Sequence, residues 1–279
     1  MMNIKEIISL ALQEDIGDGD HTSISCVPEK TRGRAKMIAK EKGVVAGIDT
    51  ASFVFKLVDR EIDVVNYMKD GQEVNPGDVI LEVSGKSRSI LIAERVALNF
   101  IQRMSGIATK TAYYVSLIKG TGAKLLDTRK TTPNFRMLEK MAVRIGGGYN
   151  HRMGLYDMIM IKDNHVDFAG GISSAVERTL KYIKDKNLDI KIEVETRNMK
   201  EVKEALETNS VHRIMLDNFS PQKLKEAVDY INKRAETEAS GGITEANIRD
   251  YALTGVDYIS VGALTHHIKS LDISLKAMF

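Results

Sequence analysis

This chain has only one cysteine, Cys26, which excludes an internal disulfide and a metal cluster built on cysteines. A buried or half-buried free thiol is the expectation for it. An excess of one charge is also missing: 40 Lys and Arg stand against 38 Asp and Glu, a net +2 with His neutral over 279 residues. Without a chain-wide basic field, neither nucleic acid nor a membrane surface is expected as the main partner. No apolar run is long enough to cross a bilayer. The opening MMNIKEIISLALQEDIGDGD has acids in its first turns, where a signal peptide carries bases and an apolar block. A cytoplasmic protein is the expectation. No low-complexity linker is found, nor a Walker loop, a dinucleotide fingerprint or a Ser/His/Asp order in a supporting context.

What is present is patterned. Helical spacing runs over residues 1–12 and ends in EDIGDGD. Short strands are predicted over 34–39, 44–48, 62–68 and 79–83, with a helix over 51–58, which together suggest a small α+β unit in the first third. Residues 89–120 read as one or two helices, with Gly106 as the break. From Lys124 onward strands alternate with helices. The strand candidates are KLLD, MIMI, KIEVE, RIMLD, TEASGGI and YISVG, separated by helices such as 173–184, 200–206 and 221–234. About six such steps imply a parallel sheet closed, or nearly closed, into a β/α barrel. A division at residue 106 follows: 1–106, with 268–279 packing back on it, and a barrel over 107–267.

The stretch 125–165 carries most of the chemistry. Its two apolar runs end in charge: Asp127, Arg129 and Lys130 after the first, Lys162, Asp163 and His165 after the second. Arg144, His151 and Arg152 lie between, so cations outnumber acids and an anionic substrate is expected. Between the runs a helix is expected, with Thr132 as its cap, Pro133 in first position and Gly146–Gly148 at its end. Every predicted barrel strand offers a polar group at its carboxyl end: Arg129 and Lys130, Lys162, Glu195, Asp217, Ser240 with Gly241, and Gly262 with His266. Each alone reads as a solvated loop group, but a barrel sets all of these ends around one mouth. Glu195 and Asp217 suit Mg²⁺, which takes carboxylate oxygen together with substrate phosphate. The late glycine-rich ends Ser240–Gly242 and Val261–Ala263 suit phosphate. His21, His212 and His267 show no partner pattern and read as structural.

EDIGDGDHTS, ERVALNFIQRMSGIAT, DTRKTTP, GGGYNHRMGLYDMIMIKDNH, IEVE, IMLDNFSP, SGGI and SVGALTH occur in one order over nearly the whole chain. In this the chain resembles the quinolinate phosphoribosyltransferases, the carboxylating nicotinate-nucleotide pyrophosphorylases. The resemblance implies an α/β sandwich domain followed by an incomplete parallel β/α barrel. It implies phosphoribosyl transfer from phosphoribosyl pyrophosphate to quinolinate, with Mg²⁺, in homodimers or larger assemblies that share active sites. On matching positions it places Arg95, Thr128, Arg129, Lys130, His151, Arg152 and Lys162 on quinolinate. It turns Glu195 and Asp217 toward ribose and metal, with Lys130 also catalytic. Ser240, Gly241, Gly242, Val261, Gly262, Ala263 and His266 are placed on phosphate and ribose. Alternatives are a nicotinate phosphoribosyltransferase, for which six pocket cations are excessive, and a pyrophosphorylase-like protein of molybdenum transport, which is expected to lack IKDNH. A non-catalytic phosphosugar-binding barrel is the third; it should lack Lys130 or a metal carboxylate, and here all are present.

Overall fold

The structure, a computed structural model, describes residues 3–278. It divides into two compact units, the first from residues up to 112, 131–147 and those from 264 on, the second from 113–130 and 148–263.

The first unit opens with α1 (Ile4–Ile16) and α2 (His21–Cys26). Asn3 and Glu6 form a reciprocal capping box at the start of α1, and Gly17, at φ 53°, ends it. The helical spacing expected at Met1 and Met2 lies outside the described residues. Then follow β1 (Arg32–Ala39), β2 (Gly43–Val44), α3 (Ile48–Val58), β3 (Asp63–Asn66), β4 (Glu73–Val74), β5 (Val79–Lys86) and α4 (Ser87–Leu117). The expected strand 44–48 shrinks to β2, because Ile48 already starts α3, where Asp70 accepts from its N–H and that of Gly47. The antiparallel sheet has the order β12-β1-β5-β3, with β12 (Ile273–Met278) along one edge. Ala35, Met37 and Ala39 of β1 alternate into the core, the period of a strand with one covered face. Cys26 is exposed, against the expectation of burial.

Three sequence expectations are corrected here. Gly106 does not break the helix: α4 runs through it. A Cβ on Gly106 would strike the Lys269 carbonyl and come within 3.0 Å of Ser270 Cα, so the glycine makes room for the returning chain. The helix between the site strands is α5 (Arg136–Ile145), not one capped by Thr132. Asn134 is left-handed at φ 61°, which stops a helix that starts at Pro133, and the Thr132 N–H and hydroxyl go to Glu139 instead. The segment carrying α5 groups with the first unit. There Glu139 accepts from Arg103, and a Cβ on Gly146 would lie 2.7 Å from Thr111 Cβ.

The second unit holds β6 (Lys124–Leu126), β7 (Ile159–Ile161), α6 (Asp163–Ala169), α7 (Ile172–Lys186), β8 (Ile192–Thr196), α8 (Met199–Glu207), β9 (Arg213–Asp217), α9 (Pro221–Ile231), β10 (Glu236–Ser240), α10 (Ile248–Ala252) and β11 (Tyr258–Ser260). The short α11 (Ala263–His266) follows, its residues from Leu264 on grouping with the first unit. Its six strands are parallel, in the order β6-β11-β10-β9-β8-β7. Closing a barrel would require β6 to pair β7. Instead Tyr149 bridges to Leu126, and its N–H donates to the Leu125 carbonyl at 2.8 Å, so the barrel is incomplete on that side. Helices follow their strands with ordinary caps: Asn198 and Ser220 accept from the first turns of α8 and α9, and Pro221 takes the first position of α9.

Asp257 ties the amino ends of β10 and β11 together. It accepts from the Thr237 N–H (2.9 Å) and hydroxyl (2.7 Å) and pairs with Lys233 at 2.8 Å. Burial pushes its carboxyl up, but these partners outweigh that and hold it below its ordinary 3.8. A depressed carboxyl stabilises the fold above its unfolded value, and that contribution is lost as pH falls through the folded one. Asp257→Asn is therefore expected to cost roughly 1 kcal/mol at pH 7 in denaturant unfolding. The gap to the unaltered protein should close below the ordinary carboxylate value; a gap that persists in acid would mean that charge is not the source.

Candidate active site

The interior of the second unit is built from alternate residues of neighbouring strands. Glu193 and Glu195 of β8, Arg213, Met215 and Asp217 of β9, and Glu236, Glu238 and Ser240 of β10 each lie two apart, so each set shares one face. The registers Glu193↔Arg213, Glu236↔Arg213 and Ser240↔Asp217 set them beside one another. Polar groups thus fill a space that barrels commonly fill with branched aliphatics.

In the lower part, Arg213 donates to Glu238 (3.0 Å) and pairs with Glu236 (3.1 Å), its guanidinium 4.1 Å from the Tyr258 ring centroid. Above it, His151 Nε2 lies between two fully buried carboxylates, 3.1 Å from Glu193 and 3.3 Å from Glu238. Burial pushes the imidazole down, but hydrogen bonds to these carboxylates and their charge outweigh it and lift it to about 9. Burial, and then repulsion from Glu238, push Glu193 up to about 7. Glu238 feels the same burial, yet His151 and Arg213 hold it below the ordinary carboxylate range. His151 is also fixed through its backbone, whose N–H donates to the fully buried Asp127 at 2.8 Å. Asn150 Nδ2 donates to the other Asp127 oxygen at 2.5 Å.

At the carboxyl ends Arg129, Arg152 and Lys162 are half-buried and Glu195 is buried. Lys162 follows β7 and pairs with Glu195 of β8 at 2.6 Å, while its own N–H donates to His165 Nδ1 at 2.9 Å. Arg152 donates to the Met158 carbonyl at 3.2 Å. Burial and then the nearby Arg129 guanidinium hold Arg152 below its usual range, with Glu193 and Asp157 pulling the other way. Two guanidiniums within repelling distance in a half-buried setting make a seat for an anion. Thr128 accepts from the Lys130 N–H at 3.0 Å, and Lys130 itself is exposed.

Past β9 and β10, Asp217 accepts from Asn218 Nδ2 at 2.6 Å, and the Asn218 N–H donates to the Ser240 carbonyl at 2.8 Å. Gly241 and Gly242 are both left-handed, at φ 91° and 62°, and a Cβ on Gly241 would lie 2.9 Å from Asn218 N. At 241 only glycine fits, because both the left-handed φ and the closeness of Asn218 exclude a side chain. Val261 closes the other glycine-rich end by donating to the Leu126 carbonyl at 3.0 Å, followed by Gly262 and Ala263.

The second unit thus brings together thirteen expected residues: Thr128, Arg129, Lys130, His151, Arg152, Lys162, Glu195, Asp217, Ser240, Gly241, Gly242, Val261 and Gly262, with Ala263 as its last residue. Arg95 belongs to the first unit, exposed on α4; so does His266, whose ring centroid is 4.3 Å from that of His267. Sequence reasoning missed Asp127, Glu193, Arg213 and Glu238 as site-forming groups. The available signal was an acid inside a strand read as buried, which has to find a partner. Among the described residues, the group of three His, Asp or Glu whose ligand atoms lie within 4.8 Å of one another is His151, Glu193 and Glu238.

Comparison with known proteins gives the family of the chain. Residues 20–105 match the family model "Quinolinate phosphoribosyl transferase, N-terminal domain", and residues 107–276 match that of the C-terminal domain. The chain is 48% identical to a chloroplastic carboxylating nicotinate-nucleotide pyrophosphorylase of Arabidopsis thaliana, over 98% of this chain and 82% of that protein. It is 42% identical to a probable carboxylating nicotinate-nucleotide pyrophosphorylase of Bacillus subtilis, over 98% of this chain and 93% of that one. The crystal structure of NadC from Streptococcus pyogenes superposes with a TM-score of 0.94 at 40% identity, covering 99% of this chain and 97% of that one.

Asp127→Ala leaves the buried donors of His151 and Asn150 without their acceptor. It should cost about 2–4 kcal/mol of stability, measured by chemical unfolding; a change under a few tenths would show that the 148–152 segment is held otherwise. From the two matched domains and the full-length relatives, this chain belongs to the quinolinate phosphoribosyltransferase family.

Proposed function

We propose that this chain transfers phosphoribose from phosphoribosyl pyrophosphate to quinolinate in NAD biosynthesis, releasing pyrophosphate and carbon dioxide and leaving nicotinate mononucleotide. The observation that carries the reading is that Arg129 and Arg152, half-buried and near enough to repel, lie in the unit whose strand end also carries Lys162, itself 2.6 Å from Glu195. Quinolinate is a dianion, and a half-buried pocket has to match its charge or the lost hydration is not recovered. Thr128, Arg129, Lys130, His151, Arg152 and Lys162 hold its two carboxylates in this reading. Lys162 then exchanges Glu195 for substrate, which returns the Glu195 carboxylate to the ribose side.

The ring nitrogen bonds to C1 of the ribose as the bond from C1 to pyrophosphate breaks. The sugar passes through an oxocarbenium-like state that Glu195 and Asp217 stabilise. The bond from the adjacent ring carbon to its carboxylate then breaks, CO₂ leaves, and the electron pair beside N⁺ takes up a proton. The residues mainly position these groups, so no organic cofactor is needed. Ser240–Gly242 and Val261–Ala263, with His266, take the phosphates. Glu195 and Asp217 suit Mg²⁺ because each has a carboxylate oxygen besides the one engaged by Lys162 or Asn218, and Mg²⁺ takes one or two carboxylates plus phosphate oxygens. When bound, the ion would neutralise the departing pyrophosphate.

The test is to supply Mg²⁺, phosphoribosyl pyrophosphate and quinolinate and to measure CO₂ and nicotinate mononucleotide. Turnover is expected, with excess chelator abolishing it. Lys162→Ala should raise the quinolinate KM by the equivalent of about 2–4 kcal/mol. Nicotinate as the better acceptor, or an unchanged KM in that variant, rejects the substrate assignment.

The reading extends to a cytoplasmic homodimer or larger assembly with shared sites, in which the partner subunit's Arg95 reaches quinolinate. Its support is that Arg95 is exposed on α4 of the first unit, outside the unit that holds the other cations. Arg95→Ala and Lys162→Ala proteins should each be nearly inactive. After subunit exchange, half the dimers are mixed and half their sites whole, so about a quarter of the unaltered activity should return. Demonstrated exchange with no recovery places Arg95 in its own chain's site.

A further inference from the structure

A single guanidinium on α4 grips two segments that lie far apart in sequence. Arg103 Nη2 donates to Glu139 Oε1 and to the Thr265 carbonyl, each at 2.8 Å, and Nε reaches the same Glu139 oxygen at 3.2 Å. Glu139, on α5, is fully buried, while the Arg103 side chain is 26% exposed. A carboxylate taken so far from water has to fill its acceptor positions. The Thr132 hydroxyl donates to Oε1 at 2.9 Å, and the Thr132 N–H donates to Oε2 at 3.1 Å. All four residues belong to the first unit.

The two gripped segments are those where the chain passes from the second unit to the first. The two stretches that make up the second unit end at Lys130 and at Ala263. Thr132 and Thr265 each stand two residues beyond those ends. The turn at Thr132 is held a second time, by the Phe135 ring stacked on Phe100 of α4 with centroids 5.5 Å apart. His266 falls between two grips from α4, because Lys110 donates to the His267 carbonyl at 2.7 Å.

We propose that Arg103 and Glu139 are positioning residues for the reaction, fixing the turn that follows Arg129 and Lys130 and the backbone between Ala263 and His266. The inference rests on the reading above, in which the first segment serves quinolinate and the second the phosphates. A buried pair of this kind is a weak source of net stability, because desolvation offsets its attraction. What it supplies here is a fixed distance from α4 to two stretches of backbone that have no regular ladder of their own.

The two grips use different atoms, so they can be released one at a time. In Glu139→Gln the amide oxygen stays at the Oε1 place, where Arg103 and the Thr132 hydroxyl converge. The NH₂ then meets the Thr132 N–H, donor against donor. In Arg103→Lys the ammonium stops one bond short of Nη2. It keeps Glu139, which Nε also reaches, and lets go of the Thr265 carbonyl.

The experiment measures both KM values, kcat and chemical unfolding on the full-length chain. Glu139→Gln should raise the quinolinate KM roughly tenfold, the size of one lost hydrogen bond to a charged group. Its phosphoribosyl pyrophosphate KM should stay within about twofold. Arg103→Lys should show the opposite split. Thr132→Val, which loses only the hydroxyl contact, should follow Glu139→Gln with a smaller rise, and it replaces that variant should it fail to fold. Unchanged KM values, or both raised together in step with lost stability, overturn the proposal, because a merely structural pair does not separate the substrates. Hydrogen exchange on the same proteins needs no turnover. Faster exchange is expected around 131–135 in Glu139→Gln and around 263–267 in Arg103→Lys. Unchanged exchange, or loosening spread over the whole first unit, overturns the proposal. An unaltered chain that turns over no quinolinate rejects the substrate reading, while exchange still decides whether the pair holds these segments, so the two failures are told apart.

Discussion

Two acids, a histidine and an arginine packed inside a parallel sheet set the terms for the second unit. Glu193, Glu238, His151 and Arg213 are all buried, and none can be taken from water without the others. Removing one leaves an uncompensated charge in a space walled by strands. Such a cluster is poor as a source of net stability, since a well-packed aliphatic core does as well or better. Its value lies in specifying geometry: Arg213 only donates, and the two acids on either side of Nε2 fix where the imidazole can sit.

From that layer the upper surface follows. His151 reaches the interior because Asp127, at the end of β6, holds the chain just before it, while Tyr149 takes the place beside β6 that a closing strand would occupy. The open side of the barrel is therefore part of how the cations reach the mouth. Arg152 comes next in sequence, Lys162 stands at the end of β7, and Arg129 follows β6, so the three cations arrive from two strand ends and the segment between them. Opposite them, Asp217, Ser240 and Gly241 gather where β9 and β10 end side by side. Positive charge, and carboxylates beside a glycine turn, thus occupy separate strand ends of one sheet.

Glycine and asparagine do the local shaping at three places, each by a different physical route. Gly106 gives up its side chain so that returning backbone can lie against α4. Gly241 gives up its own for Asn218 and takes a left-handed turn. Asn134 accepts a left-handed φ, which ends the DTRKTTP turn before α5 can begin.

Much was legible in the chain itself. The alternation from Lys124 onward, the polar groups at the strand ends and the glycine-rich pairs after the last strands are consequences of period and turn chemistry, which act over a few residues. The order of the motifs sufficed to suggest the family. What the linear pattern could not carry was partnership across the sheet. KIEVE reads as a buried strand with an acid at its end, yet nothing in it says that Glu193 meets His151, more than forty positions earlier, or shares it with Glu238. Thr132 looked like a cap because its neighbours are right for one, but Glu139 and the left-handed Asn134 claimed it. Gly106 looked like a break because a lone glycine in a helix usually weakens it; its reason is backbone more than 160 residues later in the chain. Local preference determined where strands, helices and turns fall, because those energies depend on neighbours in sequence. Which charges share a buried layer and where the barrel stays open were decided only by tertiary packing, because desolvation and hydrogen-bond geometry depend on neighbours in space.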